Sequence, residues 1–453
     1  MFDKLEKYLA PLAKKLSNNI ILASIRDGFI ISTPFIIIAS IFLLIANFPI
    51  TGYPEFMAGI FGEGWASHLS VVVSATFDVI TLLTVIGIAY AFAKNLKVNG
   101  ISGSVVAFVS FLILTQQSYP GFINEEGNAF RGLSFGNLGS QGIFLGMLTA
   151  LLSVRVFAYI DHKGWTIKLP DGVPPAVADS FAALIPSAFV MTLFFFIRLA
   201  FSFTNYEYAQ TFIYEILQAP LMGFGEFAAF DVIYQFLSNL FWFFGINGPA
   251  ITNTVFRPIH ETMTIANLTA FEAGESLQYI FTGPFRDFFS NFGGGGSTLS
   301  LVIVMLLMGK SQRLKQLGRL SIIPGIFGIN EMIIFGLPVV LNPIILIPFL
   351  FVPVINSILS TIVMSLGIIP LTTGVALPFT TPFFFSGWLS TGSVLAGIFQ
   401  IGLVALDCVL YYPFFKILDN QYLEQENSQD VAEKEEKDDV DDISLDDISF
   451  DDL

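Results

Sequence analysis

Long apolar runs, separated by turn residues or by charge, dominate the first half of the chain. A membrane-spanning helix needs about 20 mostly apolar residues, because each residue advances 1.5 Å through about 30 Å of hydrocarbon. This pattern predicts five spans, at residues 28–46, 71–93, 102–114, 143–160 and 181–203. Lys and Arg gather in residues 94–97, 155–168 and 310–319, whereas residues 54–68 contain neither. The positive-inside rule therefore assigns the three basic segments to the cytosol.

The second half is less regular than the first. Residues 206–221 predict an interfacial helix, and residues 231–244 predict a span. The next segment, residues 250–282, is flanked by apolar sequence but carries five charged or titratable side chains: Arg257, His260, Glu261, Glu272 and Glu275. Such polarity at membrane depth is tolerated only inside protein or beside a cavity. We therefore predict a re-entrant hairpin at about residues 250–275.

A second re-entrant hairpin is predicted at about residues 320–340. The sequence SIIPGIFGINEMIIFGLPVVLNP offers two apolar arms that are too short to span, with Glu331 at the tip. Before it, residues 277–292 and 299–308 predict crossings joined by a GGGGS turn, and after it spans are predicted at 344–369 and 391–417. The fold class is thus an all-α polytopic membrane protein with about ten transmembrane helices and two re-entrant hairpins. Broken helices of this kind are typical of transporters.

The two ends of the chain differ in charge. Residues 1–17 predict an amphipathic basic helix lying on anionic membrane lipid. Residues 424–453 hold 14 acidic residues and two Lys, so they carry −12 of the net charge of −15. We predict a disordered acidic cytosolic tail over residues 423–453. Between these ends, the predicted units are 18–205 (five spans), 206–222 (interfacial helix) and 223–422 (both hairpins), with both termini in the cytosol.

The composition excludes several classes of protein. Of 453 residues, 54% are hydrophobic and only 13% are charged, against about 25% in soluble domains. An ordinary soluble enzyme, a secreted disulfide scaffold and a nucleic-acid binder are therefore excluded. With one cysteine, Cys408, and three His, the sequence predicts no internal disulfide and no metal site. No nucleotide-binding loop is present, so we expect no cofactor, and any phosphate must come from a partner.

Several polar residues are candidates for chemistry, each with a structural alternative. Glu331 is an expensive intramembrane carboxylate that could accept a hydroxyl proton, or it could be satisfied by backbone N–H groups. Asn247 and Gly248 could approach a ligand closely or could form a helix end. Trp242 and Trp388 could stack on a sugar ring or belong to the core. Arg257 and Glu261 are spaced to pair with each other.

The sequence GINEMIIFGLPVVLNP, which follows a basic loop and is paired with FWFFGINGPAI upstream, resembles one known family. It resembles the membrane subunit (enzyme IIC) of the bacterial phosphoenolpyruvate-dependent phosphotransferase system, in the lactose/cellobiose/diacetylchitobiose family. The resemblance implies a homodimer in the plasma membrane, joined through the five-span half. It also implies that a β-linked disaccharide such as cellobiose or diacetylchitobiose is taken up, and that its 6-hydroxyl is phosphorylated by a cytosolic IIB partner acting with IIA.

The resemblance also assigns roles to residues. Glu331, next to Asn330, matches the hairpin carboxylate that lies near the hydroxyl to be phosphorylated. Asn247 stands where many members have the His of a Gly-Ile-His-Gly sequence, and an amide cannot exchange a proton at neutral pH. Either Glu331 suffices, or His260 contributes, or the substrate differs from the usual ones. Two other functions stay open: a proton-coupled secondary sugar transporter, and a sugar sensor without flux.

Overall fold

A computed structural model describes residues 19–123, 129–170, 172–244, 247–337 and 342–441. The predicted amphipathic helix at residues 1–17 lies outside this part of the chain, as do the last twelve residues of the acidic segment. The described protein is mostly helical, and its helices pack around one large and several smaller apolar clusters.

The first half forms a bundle of apolar helices. Asn19 begins α1 by accepting hydrogen bonds from the backbone N–H groups of Ile21 and Leu22 at 2.9 and 3.2 Å. The helices are α1 Ile20–Ala46, α2 Tyr53–Phe61, α3 Trp65–Phe77, α4 Ile80–Asn95, α5 Gly100–Leu114, α6 Phe135–Leu138, α7 Ile143–His162, α8 Pro175–Ala182 and α9 Leu184–Phe201. Buried Val85, Val154 and Phe111 lie in the cluster shared by α4, α5 and α7. The five predicted spans of this half all coincide with helices.

A small antiparallel hairpin lies between α5 and α6, where we predicted no strand. Strand β1 is Ser118–Ile123, strand β2 is Ala129–Arg131, and Tyr119 lies opposite Phe130. Strands this short carry no periodic pattern that separates them from a loop.

The middle of the chain bends sharply and then departs from one prediction. Helix α10 (Ala209–Ile213), a π-helical turn (Tyr214–Gln218) and α11 (Ala219–Gly225) are followed by α12 (Phe230–Phe243), with a bend of 76° before α12. The predicted re-entrant hairpin at 250–275 is instead one continuous helix, α13 (Gly248–Glu272). Its polar side chains do not interrupt it: Arg257 pairs with Glu261 at 3.2 Å and His260 is buried, while Glu272 is exposed at the end of the helix.

The crossing predicted at residues 277–292 is also wrong. Only Gly283–Phe288 is helical there (α14), and a 3₁₀ turn (Gly295–Ser297) within the glycine-rich segment leads into α15 (Thr298–Met308). Next come α16 (Gln312–Ile326) and the short α17 (Glu331–Gly336), separated by a tight turn. Glu331 is the first residue of α17 and follows the turn after α16. The re-entrant hairpin at 320–340 stays a prediction; residues 338–341 are outside the described part.

The C-terminal region consists of α18 (Pro343–Ser365), an extended segment, α19 (Phe385–Thr391) and the long α20 (Val394–Asp441). The acidic segment predicted to be disordered from residue 423 thus belongs to α20 as far as Asp441. By length and apolar composition, six helical segments of the described part can cross a membrane, with α3–α4 and α8–α9 each counted as one segment. The number is seven if α10–α12 count as one bent span. Helix α5 and the α15 region are shorter apolar helices, so the predicted count of ten spans is not reached by these criteria.

Two carboxylates of α20 hold the start of α16. The side chain of Asp419 accepts hydrogen bonds from the backbone N–H groups of Lys310 and Ser311 at 2.9–3.0 Å. About two turns further along α20, the side chain of Glu426 accepts hydrogen bonds from the Ser311 hydroxyl at 2.6 Å and from the Arg313 N–H at 2.9 Å. Acceptors are needed here because the first N–H groups of a helix have no partner within the helix. We call these contacts the carboxylate clamp.

Asp419→Ala is expected to lower thermal stability. The N–H groups of Lys310 and Ser311 lose their acceptor, and the unpaired N–H of the buried Ser311 costs about 1–3 kcal/mol. The measurement is thermal unfolding of the purified protein in detergent. Glu424→Ala is the matched control, because Glu424 is an exposed carboxylate on the same helix. Equal melting temperatures for the two variants would show that the clamp contributes nothing.

Candidate functional site

A cavity of about 490 Å³ lies in the second half of the chain. Its walls are α12, the start of α13, residues 286–295, the turn between α16 and α17, and the extended segment around residues 379–386. The volume is in the range of small-molecule sites. Helix ends and irregular backbone form much of the wall, which is how transporters expose polar groups within an apolar bundle.

Side-chain amides supply most of the polar lining. Gln235, Ser238, Asn239 and Trp242 follow one another at helical spacing, so α12 presents one polar stripe to the cavity. The stripe is fixed in place, because Asn239 donates to the carbonyl of Gln235 at 2.8 Å and accepts from the N–H of Gly296 at 2.8 Å. The amides lining the cavity are Gln235, Asn239, Asn247, Asn253, Asn291 and Asn330.

One ion pair lines the cavity. The Arg286 guanidinium donates to both carboxylate oxygens of Asp287, at 2.8 and 3.0 Å, and to the amide oxygen of Asn253 at 3.2 Å. Asn253 also accepts from the hydroxyl of Tyr234 at 3.0 Å. Because Arg286 and Asp287 neutralise each other, the cavity offers many hydrogen-bonding groups with no net charge.

The glycine-rich segment forms a wall of the cavity and holds the hairpin turn. Gly294 has a φ of 89°, and a Cβ there would lie 2.6 Å from the Asn330 side chain, so only glycine fits. The Asn330 amide donates to the carbonyl of Gly295 at 2.8 Å and to the hydroxyl of Thr298 at 3.1 Å. These bonds tie the turn before Glu331 to the cavity wall.

Two buried carboxylates accept hydrogen bonds from residues next to the cavity walls. Asp231 accepts from the hydroxyls of Ser290 and Ser357, both at 2.7 Å. Asp407 accepts from the hydroxyl of Ser297 at 2.7 Å and from the amide of Asn356 at 2.9 Å. Buried carboxylates are stable only with such partners. Ser290 and Ser297 lie on either side of the glycine-rich turn, whereas Asn356 and Ser357 belong to α18.

The structure brings together only some of the residues predicted as site residues. Trp242, Asn247 and Asn330 line the cavity. Gly248 does not; it lets α13 begin against α12, since a Cβ there would lie 1.7 Å from the carbonyl oxygen of Ser238. Glu331 is exposed and adjoins the lining through Asn330, but is not part of it.

His260 and Trp388 are outside the cavity lining. His260 is fully buried, with the rings of Phe230 and Tyr234 at 5.0 and 5.4 Å and Asp231 at 4.0 Å. Trp388 packs against Phe48 at 6.1 Å. Both side chains therefore pack against aromatic residues of the protein.

Most of the cavity lining was not predicted from the sequence. Arg286 and Asp287 lay in a segment interpreted as a span, and their charge was the neglected signal. The polar stripe of α12 could also have been predicted, because Gln235, Ser238 and Asn239 stand at i, i+3 and i+4 in an otherwise apolar helix.

Arg286→Lys is expected to weaken binding of a polar solute in the cavity by about tenfold or more. Lysine cannot make the bidentate pair with Asp287, and hydrogen bonds to charged groups contribute about 1.5–3 kcal/mol each. Solute-induced change in Trp242 fluorescence measures the affinity. Arg257→Lys is the control, because its ion pair with Glu261 lies outside the cavity lining. Equal effects of the two substitutions on solute affinity would contradict a specific role of Arg286 in binding.

An apolar helical bundle around a polar cavity with no net charge is typical of a membrane transporter for a polar solute. The sequence profile of the family "Phosphotransferase system, EIIC" matches residues 26–353. The oligo-beta-mannoside-specific EIIC component of Bacillus subtilis is 38% identical over 96% of this chain and 97% of its own length. The cellobiose-specific EIIC component of Geobacillus stearothermophilus is 38% identical over 94% and 95%, respectively.

A solved structure agrees with these relatives. The crystal structure of ChbC, the IIC component of the N,N'-diacetylchitobiose-specific phosphotransferase system, matches with a TM-score of 0.89 and 41% identity. The match covers 93% of this chain and 99% of that one. The chain therefore belongs to the EIIC family, the sugar-transporting membrane components of the phosphotransferase system.

Proposed function

We propose that this protein transports a β-linked disaccharide or short oligosaccharide and presents its 6-hydroxyl for phosphorylation by a IIB partner. The observation that carries the proposal is the cavity lining: amides, one indole and one internally neutralised ion pair. Amides donate and accept hydrogen bonds as sugar hydroxyls do, and the face of Trp242 suits the apolar face of a sugar ring. The relatives named for oligo-beta-mannoside, cellobiose and diacetylchitobiose support a β-linked substrate.

Within this proposal, the hairpin turn positions the acceptor hydroxyl. Asn330 contacts the sugar from the cavity wall, and Asn247 orients it from the start of α13. Glu331, exposed at the first position of α17, accepts the hydroxyl proton as the phosphoryl group arrives from IIB. His260 and Trp388 have no direct contact with sugar in this scheme. The protein works as a homodimer in the bacterial plasma membrane with both termini in the cytosol, next to IIB and IIA.

Uptake into membrane vesicles tests this function. A panel of radiolabelled β-linked disaccharides is offered with and without phosphoenolpyruvate and the soluble phosphotransfer proteins. Group translocation requires that labelled sugar phosphate accumulates only with the donor, because phosphorylation traps the sugar as an anion. Free sugar that follows an imposed proton gradient without a donor would instead establish the rival, a proton-coupled transporter. Binding of sugar without uptake in either condition would support the third function, a sugar sensor without flux.

A further inference from the structure

A second cavity, of about 270 Å³, lies far from the sugar cavity in sequence and is lined by cations. Arg155, Tyr159, His162 and Lys163 of the α7 end form one wall, and Leu96 of the α4–α5 connection lies on another side. The buried Ala158 completes the lining. The ends of α4 and α7 and the start of α5 meet at this point of the bundle.

The cations around this cavity lack carboxylate partners. Lys94 lies in the last turn of α4, and Lys97 belongs to the same connection as Leu96. In the described ranges, neither of these lysines, nor Arg155 or Lys163, is in an ion pair. Lys94 and Lys163 lie instead over the rings of Tyr90 and Tyr159, at 4.8 and 5.6 Å. Cations near the C-terminus of a helix complement its dipole, which accounts for Lys163. Arg155 lies two turns before the end of α7, so the dipole does not account for its position.

The carboxylates nearby do not fill the cavity. Asp161 is next to His162 in sequence but is absent from the lining, because adjacent helical residues point to different faces. Asp179 accepts a hydrogen bond from the side chain of Asn99 at 2.9 Å. An anion from outside the chain is therefore the ligand that this charge distribution favours.

The cationic wall continues into an apolar stripe along α7. Leu148, Leu152, Arg155, Tyr159 and His162 follow one another at alternating steps of four and three, so they share one helix face. Leu148 and Leu152 are 41% and 44% exposed, and Tyr159 is 61% exposed. Along α7, this face thus presents two exposed leucines, then Arg155, then the ring of Tyr159 and His162.

A further aromatic pair lies beyond the cations. Trp165 is 54% exposed, and its ring is 6.0 Å from that of Phe189. Exposed tryptophan and tyrosine mark the level of lipid head groups in membrane proteins. The cavity therefore opens at the boundary between hydrocarbon and water, with its apolar extension on the hydrocarbon side.

We propose that this cavity binds the phosphodiester head group of an anionic phospholipid, with an acyl chain lying along Leu148 and Leu152. A free phosphate ion shares the head-group chemistry, but it has no apolar part that could contact Leu148 and Leu152. Basic cavities between transmembrane helices at the cytosolic face bind anionic lipid in this way. The lipid fills the gap between the α4–α5 connection and α7.

Native mass spectrometry of the full chain in detergent tests the proposal, with phosphatidylglycerol and phosphatidylcholine as the two probes. The parent is expected to prefer phosphatidylglycerol. Arg155→Gln with Lys163→Gln is expected to weaken that lipid by about fivefold for each removed cation, without changing phosphatidylcholine binding. Leu96→Trp keeps every charge but fills the cavity, so it is expected to cause a loss of the same kind.

The control is Lys315→Gln with Arg319→Gln, which removes the same charge from α16. Unchanged Trp242 fluorescence response to sugar shows that each variant is folded. The proposal is overturned if the control pair loses as much lipid as the cavity pair, or if the cavity variants keep the parent preference. It also fails if equimolar inorganic phosphate displaces the lipid, which identifies a free-phosphate site. A changed oligomeric mass with unchanged lipid binding would assign this face to a second copy of the chain.

Discussion

Glu331→Gln is expected to reduce donor-dependent accumulation of sugar phosphate by about a hundredfold or more, with a much smaller effect on sugar binding. Glutamine keeps the size of the side chain and its hydrogen-bonding capacity, but it cannot accept a proton. The turn that carries residue 331 is held by the amide of Asn330, which the substitution leaves in place. The geometry of the cavity wall should therefore survive while the proton acceptor is lost.

Two measurements separate these effects. Trp242 fluorescence gives the affinity for sugar, and vesicle uptake with phosphoenolpyruvate and the soluble proteins gives the rate of phosphorylation. Glu275→Gln is the matched control, because it removes the same charge from an exposed position outside the cavity lining. Full activity of the Glu331 variant, or an equal loss in the control, would rule out a proton-accepting role for Glu331.

Gly248→Ala is expected to have the second large effect, this time on the architecture of the cavity. The added Cβ would lie 1.7 Å from the carbonyl oxygen of Ser238, a backbone atom that cannot rotate away. Helix α13 must then move away from α12, at a cost of about 3 kcal/mol or more. Asn247 accepts a hydrogen bond from the N–H of Ala250 at 3.0 Å, so it would move with the helix start and sugar affinity should fall as well.

The measurements are thermal unfolding, the yield of monodisperse protein and sugar affinity. Gly402→Ala is the control, since Gly402 lies within α20 and a Cβ there would meet nothing within 4 Å. Alanine in an open helical position is expected to be neutral or slightly stabilising. A Gly248 variant with parent-like stability and affinity would show that the two helices separate at no cost.

The sequence predicted the elements whose lengths the membrane dictates. An apolar run such as residues 28–46 has one stable form in hydrocarbon, a helix, because every backbone polar group must be satisfied within the segment. The same argument failed where side chains are buried in protein rather than in lipid. Residues 250–275 looked too polar for a continuous helix, yet Arg257 and Glu261 pair and His260 is enclosed by aromatic rings, so α13 needs no break.

The cavity was only partly predictable for a related reason. Asn247, Trp242 and Asn330 could be chosen because each stands in an unusual local sequence beside glycine or near a carboxylate. Asn253 and Asn291 have no such local mark, and tertiary packing alone places them beside Asn239. The close packing at Gly248 is likewise a property of two helices, and spacing along one chain does not show it.

The carboxylate clamp gives the last helix a mechanical role. Helix α20 contains 48 residues and is roughly 70 Å long, more than twice the thickness of the hydrocarbon. Asp419 and Glu426 join this rod to the start of α16, and α16 ends at the turn that Asn330 fixes to the cavity wall. We expect a tilt of the part of α20 beyond the clamp to be transmitted through α16 to the wall of the cavity, so that a change near Asp441 alters the cavity without contacting it.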